Sequence, residues 1–245
     1  MRGCGREESM SHEGLDLLVI GAHPDDAEVH VGGLLALASR RGLRAGILDL
    51  TNGDLGTRGT ADTRRIEAAA SAKILGAERF ELGFPDGRFS EEESYRLLLM
   101  ARLRELKPVV LILPAPEDRH PDHRRAHRLG REAAYYAGLK NYPCEGEPWR
   151  PQALAWMAGE NPGQPDLVVD VSEVWTTRMA AFDAFGSQFS ADASASTRIA
   201  HPAFRRGVEG RAMHYASFLL CEWAEALWCE KPVPQALLKL LERLN

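Results

Sequence analysis

The chain has 245 residues, 44% of them apolar and 27% charged, and a formal net charge of −5. That length supports a sizeable core, and the negative balance argues against nonspecific binding to nucleic acid or to a membrane surface. No apolar run approaches the ~20 residues that span a bilayer, and Cys4, Cys144, Cys221 and Cys229 show no Cys-x-x-Cys spacing, so free thiols in a reducing cytoplasm are expected.

Residues 1–14 are polar and glycine-rich and read as a disordered leader, with Met10 as a second candidate start. Residues 15–21 are a short apolar run with a turn signal behind it, the mark of a buried strand. Helical apolar spacing over 27–41 closes at Gly42, and a second strand follows at 45–50. Beyond the polar loop 51–59, an alanine-rich helix over 61–75 stops at Gly76. A strand at 80–82, a loop through Pro85-Asp86-Gly87, a helix over 90–106, a strand at 109–113 and a helix over 121–138 complete the regular part. Strands alternating with helices of this length imply right-handed crossover units and a parallel sheet covered on both faces. Residues 153–157 and 167–171 read as two more strands forming an antiparallel edge, and 173–186, 203–220 and 233–244 as helices. No Gly/Ser-rich linker divides the chain, so 15–245 is expected to be one domain: an α/β, Rossmann-like three-layer sandwich with a mostly parallel central sheet.

Two short motifs carry the chemistry. His23-Pro24-Asp25-Asp26 follows the first strand and His120-Pro121-Asp122-His123 follows the fourth. In doubly wound sheets those strands are commonly neighbours and ligands bind beyond their C-terminal ends, so the motifs should meet at one crevice. The first turn lacks the G-x-G-x-x-G of a dinucleotide site, which counts against NAD or S-adenosylmethionine. His23, Asp26 and His123 supply two nitrogens and one oxygen, and three protein ligands plus water is the open coordination of a catalytic zinc site. Asp25 adjoins the ligands without being needed as one, the position of a general base. His120 is placed to stabilise an oxyanion, to protonate a leaving amine, or to orient a neighbouring carboxylate. A helix cap is the plain alternative for Asp25. His127, four residues after His123, is expected to face a neighbouring helix or solvent.

Gly21-Ala22-His23-Pro24-Asp25-Asp26-Ala27-Glu28 together with Glu117-Asp118-Arg119-His120-Pro121-Asp122-His123 resembles the PIG-L/LmbE family of zinc-dependent N-acetylglucosamine de-N-acetylases. Gly56-Thr57-Arg58-Gly59-Thr60, residues 64–76, Phe84-Pro85-Asp86 and Ser187-Gln188-Phe189 resemble its bacillithiol-pathway branch, which deacetylates N-acetylglucosaminyl-malate. The resemblance implies one Zn2+ per chain on His23, Asp26 and His123, with Asp25 as base and His120 as the second catalytic group. It implies Arg64 and Arg119 as substrate contacts, since malate carries two carboxylates and arginine presents a matching fork; Arg58 is a further candidate contact, and surface charge or helix-face ion pairing is the plain alternative for all three. It also implies a small amino-sugar substrate and a homo-oligomer; the charge and cysteine patterns lead to no nucleic-acid or membrane partner and a cytoplasmic location. Three positions depart from the branch: His30 stands where a small residue is usual, Phe204 where some relatives carry tyrosine, and Trp223 replaces tyrosine before Ala224-Glu225. Deacetylation of another amino sugar, a metal-dependent phosphoesterase and a non-enzymatic metal or sugar binder are the competing readings. The phosphoesterase would want more bridging carboxylates than this set offers, and the binder has no use for Asp25.

Overall fold

All five residues of β1 (Leu17–Gly21) are buried, and a strand covered on both faces must send apolar side chains both ways. Leu17 and Val19 enter one core, Leu18 and Ile20 the other. The structure, a computed structural model, describes residues 13–159, 163–190 and 197–245; most of the expected leader, residues 1–12, lies outside the described residues. β1 pairs in parallel with β2 (Ala45–Thr51) on one side and β4 (Val110–Leu113) on the other. β3 (Glu78–Phe84) continues the parallel pairing beyond β2, and β5 (Ala153–Trp156) does so beyond β4. With β6 (Leu167–Asp170) and β7 (Ala224–Cys229) the sheet order is β3-β2-β1-β4-β5-β7-β6. The chain thus runs out to one edge at β3 and returns to place β4 beside β1, the reversal that opens a crevice at the strand ends.

Eight helices flank the sheet among the described residues: α1 (Asp26–Arg40), α2 (Ala61–Leu75), α3 (Glu93–Leu106), α4 (Pro121–Ala137), α5 (Trp175–Asp183), α6 (Gly186–Phe189), α7 (Pro202–Ala216) and α8 (Gln235–Leu244). Leu34, Leu35 and Leu37 of α1 join Leu237 and Leu240 of α8 over one face of the sheet. Leu99 and Leu103 of α3 join Leu129 and Ala133 of α4 over the other. Helix α2 shows how local chemistry sets its limits. The Thr60 hydroxyl accepts the Thr63 amide at the start, and Gly76 ends the helix at φ 69°, where a Cβ would lie 2.2 Å from Ser39 Oγ. Among the described residues no helix is long and apolar enough to cross a membrane.

Two expectations for the second half change. β5 is no edge strand: it is parallel to β4, and β7, which the sequence reading passes over, lies between β5 and β6 and antiparallel to both. All six residues of β7 are buried, one of them Glu225, so no apolar/polar alternation marks it. The helix expected over 173–186 is broken into a 3-10 turn (Ser172–Val174), α5 and the short α6; between the last two, Phe185 leaves helical geometry, and its ring is fully buried. Since α1 is pinned to the sheet by leucines, Leu35→Ala is expected to lower the unfolding free energy by about 2–5 kcal/mol. Urea denaturation, with an unchanged slope, measures it.

Candidate active site

The β1–α1 turn is tight: a Cβ on Gly21 would sit 2.9 Å from the His23 carbonyl. Thr51 secures the turn from β2, its amide and hydroxyl both donating to the Ala22 carbonyl at 3.0 and 2.9 Å. Asp25 then takes φ 119° and ψ −23°, a left-handed conformation costly for any residue but glycine. It stands at the N-cap position of α1, yet its side chain caps nothing. The carboxylate instead accepts from Arg64 Nη2 at 2.9 Å. Asp26 bends back, Oδ2 accepting the His23 amide at 2.9 Å.

The second motif begins α4 with His120 as N-cap and Pro121 in the first turn. His120 Nδ1 accepts the Asp122 amide at 3.3 Å, so the neutral ring carries its proton on Nε2. The rings of His23, His120 and His123 gather with centroids 4.7, 4.9 and 5.6 Å apart. The Asp26 carboxylate stands between two of them, Oδ1 3.1 Å from His123 Nε2 and Oδ2 3.7 Å from His23 Nδ1. Tetrahedral ligation at ~2.1 Å puts donor atoms roughly 3.4 Å apart, so each Asp26 oxygen faces a histidine nitrogen at about ligand spacing. The outer nitrogens are turned to carboxylates: His123 Nδ1 to Asp118 at 3.3 Å, and His23 Nε2 to Asp86 and Asp122 at 3.3 and 3.5 Å. Such partners fix the tautomer and aim of a metal-binding histidine.

His23, Asp86 and Asp122 form a second group with donor atoms within 4.8 Å, as do His23, His120 and His123. The oxygens of Asp86 and Asp122 are already engaged, however. Asp86 accepts the Leu55 amide at 2.9 Å, and Asp122 accepts the Gly87 amide at 2.8 Å and Arg125 at 2.6 Å. They brace His23, while the Asp26 carboxylate faces two imidazoles, which makes His23, Asp26 and His123 the candidate ligand set. Charge agrees. Burial alone would lower the His123 pKa, but Asp26 and Asp118 lift it to about 10; burial likewise opposes His23, which its carboxylate neighbours hold well above the ordinary value. Burial works against ionised Asp26 too, and the two imidazoles pull it well below the ordinary range. For Asp25, burial prevails over the Arg64 charge and brings its carboxyl up to about 7.

A cavity of about 670 Å³ opens over these groups, lined also by Arg58, Arg64 and Arg119. Sequence reading thus finds eight residues that the fold brings to one place, but the three arginines are occupied differently. Arg64 is buried and donates to Asp25, to the Pro24 carbonyl and, at 3.2 Å, to the Gly53 carbonyl. Arg58 donates to the Ser190 carbonyl at 2.8 Å while Gln188 Nε2 donates to the Arg58 carbonyl at 2.7 Å. Arg119 is exposed at the cavity wall. Asp86, Asp118 and Asp122, which face these histidines, are left unassigned by the sequence reading, although each lies inside a quoted motif. His127 turns inward, its Nδ1 2.8 Å from the Pro114 carbonyl.

A family model described as PIG-L, GlcNAc-PI de-N-acetylase, matches residues 18–134. The chain is 30% identical over 192 residues to diacetylchitobiose deacetylase of Thermococcus kodakarensis, covering 72% of this chain and 71% of that one. It is 27% identical to 4-oxalmesaconate hydratase of Pseudomonas putida, covering 76% and 78%. Among solved structures, a conserved protein of Thermus thermophilus superposes with a TM-score of 0.82 at 39% identity, covering 90% of this chain and 96% of that one.

His30 also lines the cavity, its Nδ1 buried without a hydrogen-bond partner. Burial and then the Arg211 charge hold its pKa down to about 3. Below the unfolded value of ~6.5 the unfolded chain takes up a proton that the folded chain refuses. This part of the stability is therefore present above pH ~6.5 and is lost as pH falls towards about 3. His30→Phe is expected to flatten that slope in urea titrations between pH 4 and 7.

Proposed function

This chain belongs to the PIG-L family of de-N-acetylases, and from that membership and the geometry around Asp26 we propose that it is a zinc-dependent hydrolase removing acetate from an N-acetylglucosamine conjugate. The observation carrying the proposal is the Asp26 carboxylate held between His23 and His123 with Asp25 beside it, buried and outside the ligand set. His23, Asp26 and His123 would hold one zinc per chain, which when bound polarises an acyl oxygen and acidifies water.

The chain's own groups supply the proton transfers. Asp25, with a carboxyl near neutrality, takes the proton of the water that attacks the acetamide carbon. Arg64 holds Asp25 in place and so acts as a positioning residue, a role different from the substrate contact expected for it. His120 presents Nε2–H to the cavity, suited to stabilise the oxyanion as a hydrogen-bond donor, while the proton taken up by Asp25 passes on to the amine as the carbon–nitrogen bond breaks. The products are acetate and a free amino sugar.

N-acetylglucosaminyl-L-malate of bacillithiol biosynthesis is the proposed substrate, supported by the motif at 56–60 and by Arg119 on the cavity wall. The same reading includes a cytoplasmic homo-oligomer. The hydratase relative favours a second reading, in which the same site adds water to an unsaturated acid and releases no acetate.

Acetate release from N-acetylglucosaminyl-malate and from N,N'-diacetylchitobiose, with zinc determined on the same sample, tests this. Release that a chelator abolishes is expected, with the malate conjugate preferred. Asp25→Asn is expected to keep its zinc and lose about 10²–10⁴ in kcat. Undiminished turnover in that variant would refute the assigned base, and zinc without acetate release from any N-acetylated amino sugar would favour the hydratase reading.

A further inference from the structure

Helix α1 breaks soon after it begins. Val31 has φ −140° and ψ 23°, far from helical values, so backbone groups on either side of it need partners outside the helix. They find them on three distant elements. Glu225 of β7 accepts the Gly33 amide with Oε1 at 2.8 Å and the Leu34 amide with Oε2 at 2.7 Å. Arg178 of α5 and Arg211 of α7 donate to the Val29 carbonyl at 3.0 and 3.4 Å. Arg178 Nε lies 3.4 Å from Glu225 Oε1, and both side chains are almost fully buried. Glu225 thereby caps a second helix start in mid-helix, where an anion is favoured. The fit is close at Gly33, where a Cβ would meet Val171 Cβ at 2.9 Å and Glu225 Oε1 at 3.0 Å.

The break divides α1 by task. Asp26 to His30 hang from the strained Asp25 and carry the ligand carboxylate; the remainder is locked into the core by Leu34, Leu35 and Leu37. In an unbroken helix, leucine packing would dictate where Asp26 points. A buried ion pair is a weak source of stability, because desolvation offsets its attraction and apolar residues do as well. Its role here is geometric: a bidentate carboxylate and a planar guanidinium fix the angle between two helix segments.

We propose that Glu225 and Arg178 are positioning residues for the metal, acting through the first turn of α1 to aim the Asp26 carboxylate without touching the site. The proposal rests on Asp26 being a metal ligand, as read above. The test uses the full chain as wild type, Glu225→Gln, Arg178→Lys and Leu240→Ala, the last a buried residue of α8 that lowers stability away from the site. Zinc affinity is measured by competition with a chromophoric chelator, well below the Tm of every variant, together with the visible spectrum of the cobalt(II)-substituted proteins. Glu225→Gln and Arg178→Lys are expected to weaken zinc binding ~10-fold or more and to shift the cobalt bands. Leu240→Ala should lower Tm while leaving both readouts at wild-type values. If Glu225→Gln fails to fold, Arg178→Lys carries the test. Wild-type affinity and cobalt spectra in the clamp variants would overturn the proposal alone. A wild-type chain that takes up no zinc would overturn the metal reading and this proposal with it.

Discussion

The first turn of α1 holds Asp25, Asp26 and Glu28 within four residues, all buried, and guanidinium groups grip it from several sides. Arg64 reaches Asp25 and the Pro24 carbonyl from α2, Arg79 reaches Glu28 from β3, and Arg178 reaches the Val29 carbonyl from α5. A helix N-terminus favours acidic groups, but three carboxylates this close and this dry repel one another unless cations stand beside them. The planar fork of arginine suits that task, because it bonds a carboxylate and a backbone carbonyl together. With Asp25 and one oxygen of Glu28 engaged in this way, Asp26 is left to face His23 and His123. The division of labour between base and ligand therefore follows from which carboxylate each cation can reach.

Topology supplies the other half. The return of the chain to set β4 beside β1 brings the start of α4, with His120 and His123, to the start of α1 at the sheet's C-terminal edge. Loops after β2 and β3 then close over the same place. Leu55 and Gly87 each donate an amide to a carboxylate that also faces His23. The cavity walls and the histidine thus share their anchors, so movement of either loop is felt at the ligand.

Much of this is legible in the sequence, and what is not has a physical reason. The parallel half of the sheet is readable because strands covered on both faces appear as unbroken apolar runs, as in residues 17–20. The paired motifs are readable because ligand types at short spacing behind strands imply a shared crevice. The break at Val31 is not, since residues 27–41 keep helical spacing and the group that splits them, Glu225, lies 192 residues from Gly33. The arginine roles are hidden for a similar reason: a sequence shows the fork, but the acceptor it meets, Asp25 or the Ser190 carbonyl, is chosen by folding. The backbone of Asp25 is equally silent, because aspartate at the start of a helix normally announces a cap.

The reciprocal bonds between Arg58 and the Gln188–Ser190 segment have a bearing on how such a pocket can diversify. Glu67 adds to them by accepting both the Ser187 amide and hydroxyl at 2.6 Å, and Gly59 leaves space for that serine, whose oxygen a Cβ would meet at 2.7 Å. Two stretches of the gene more than a hundred codons apart therefore encode one rim. A recombination crossover anywhere between them would join halves whose lips no longer interlock, so new tastes in substrate must be inherited by paired change on both sides.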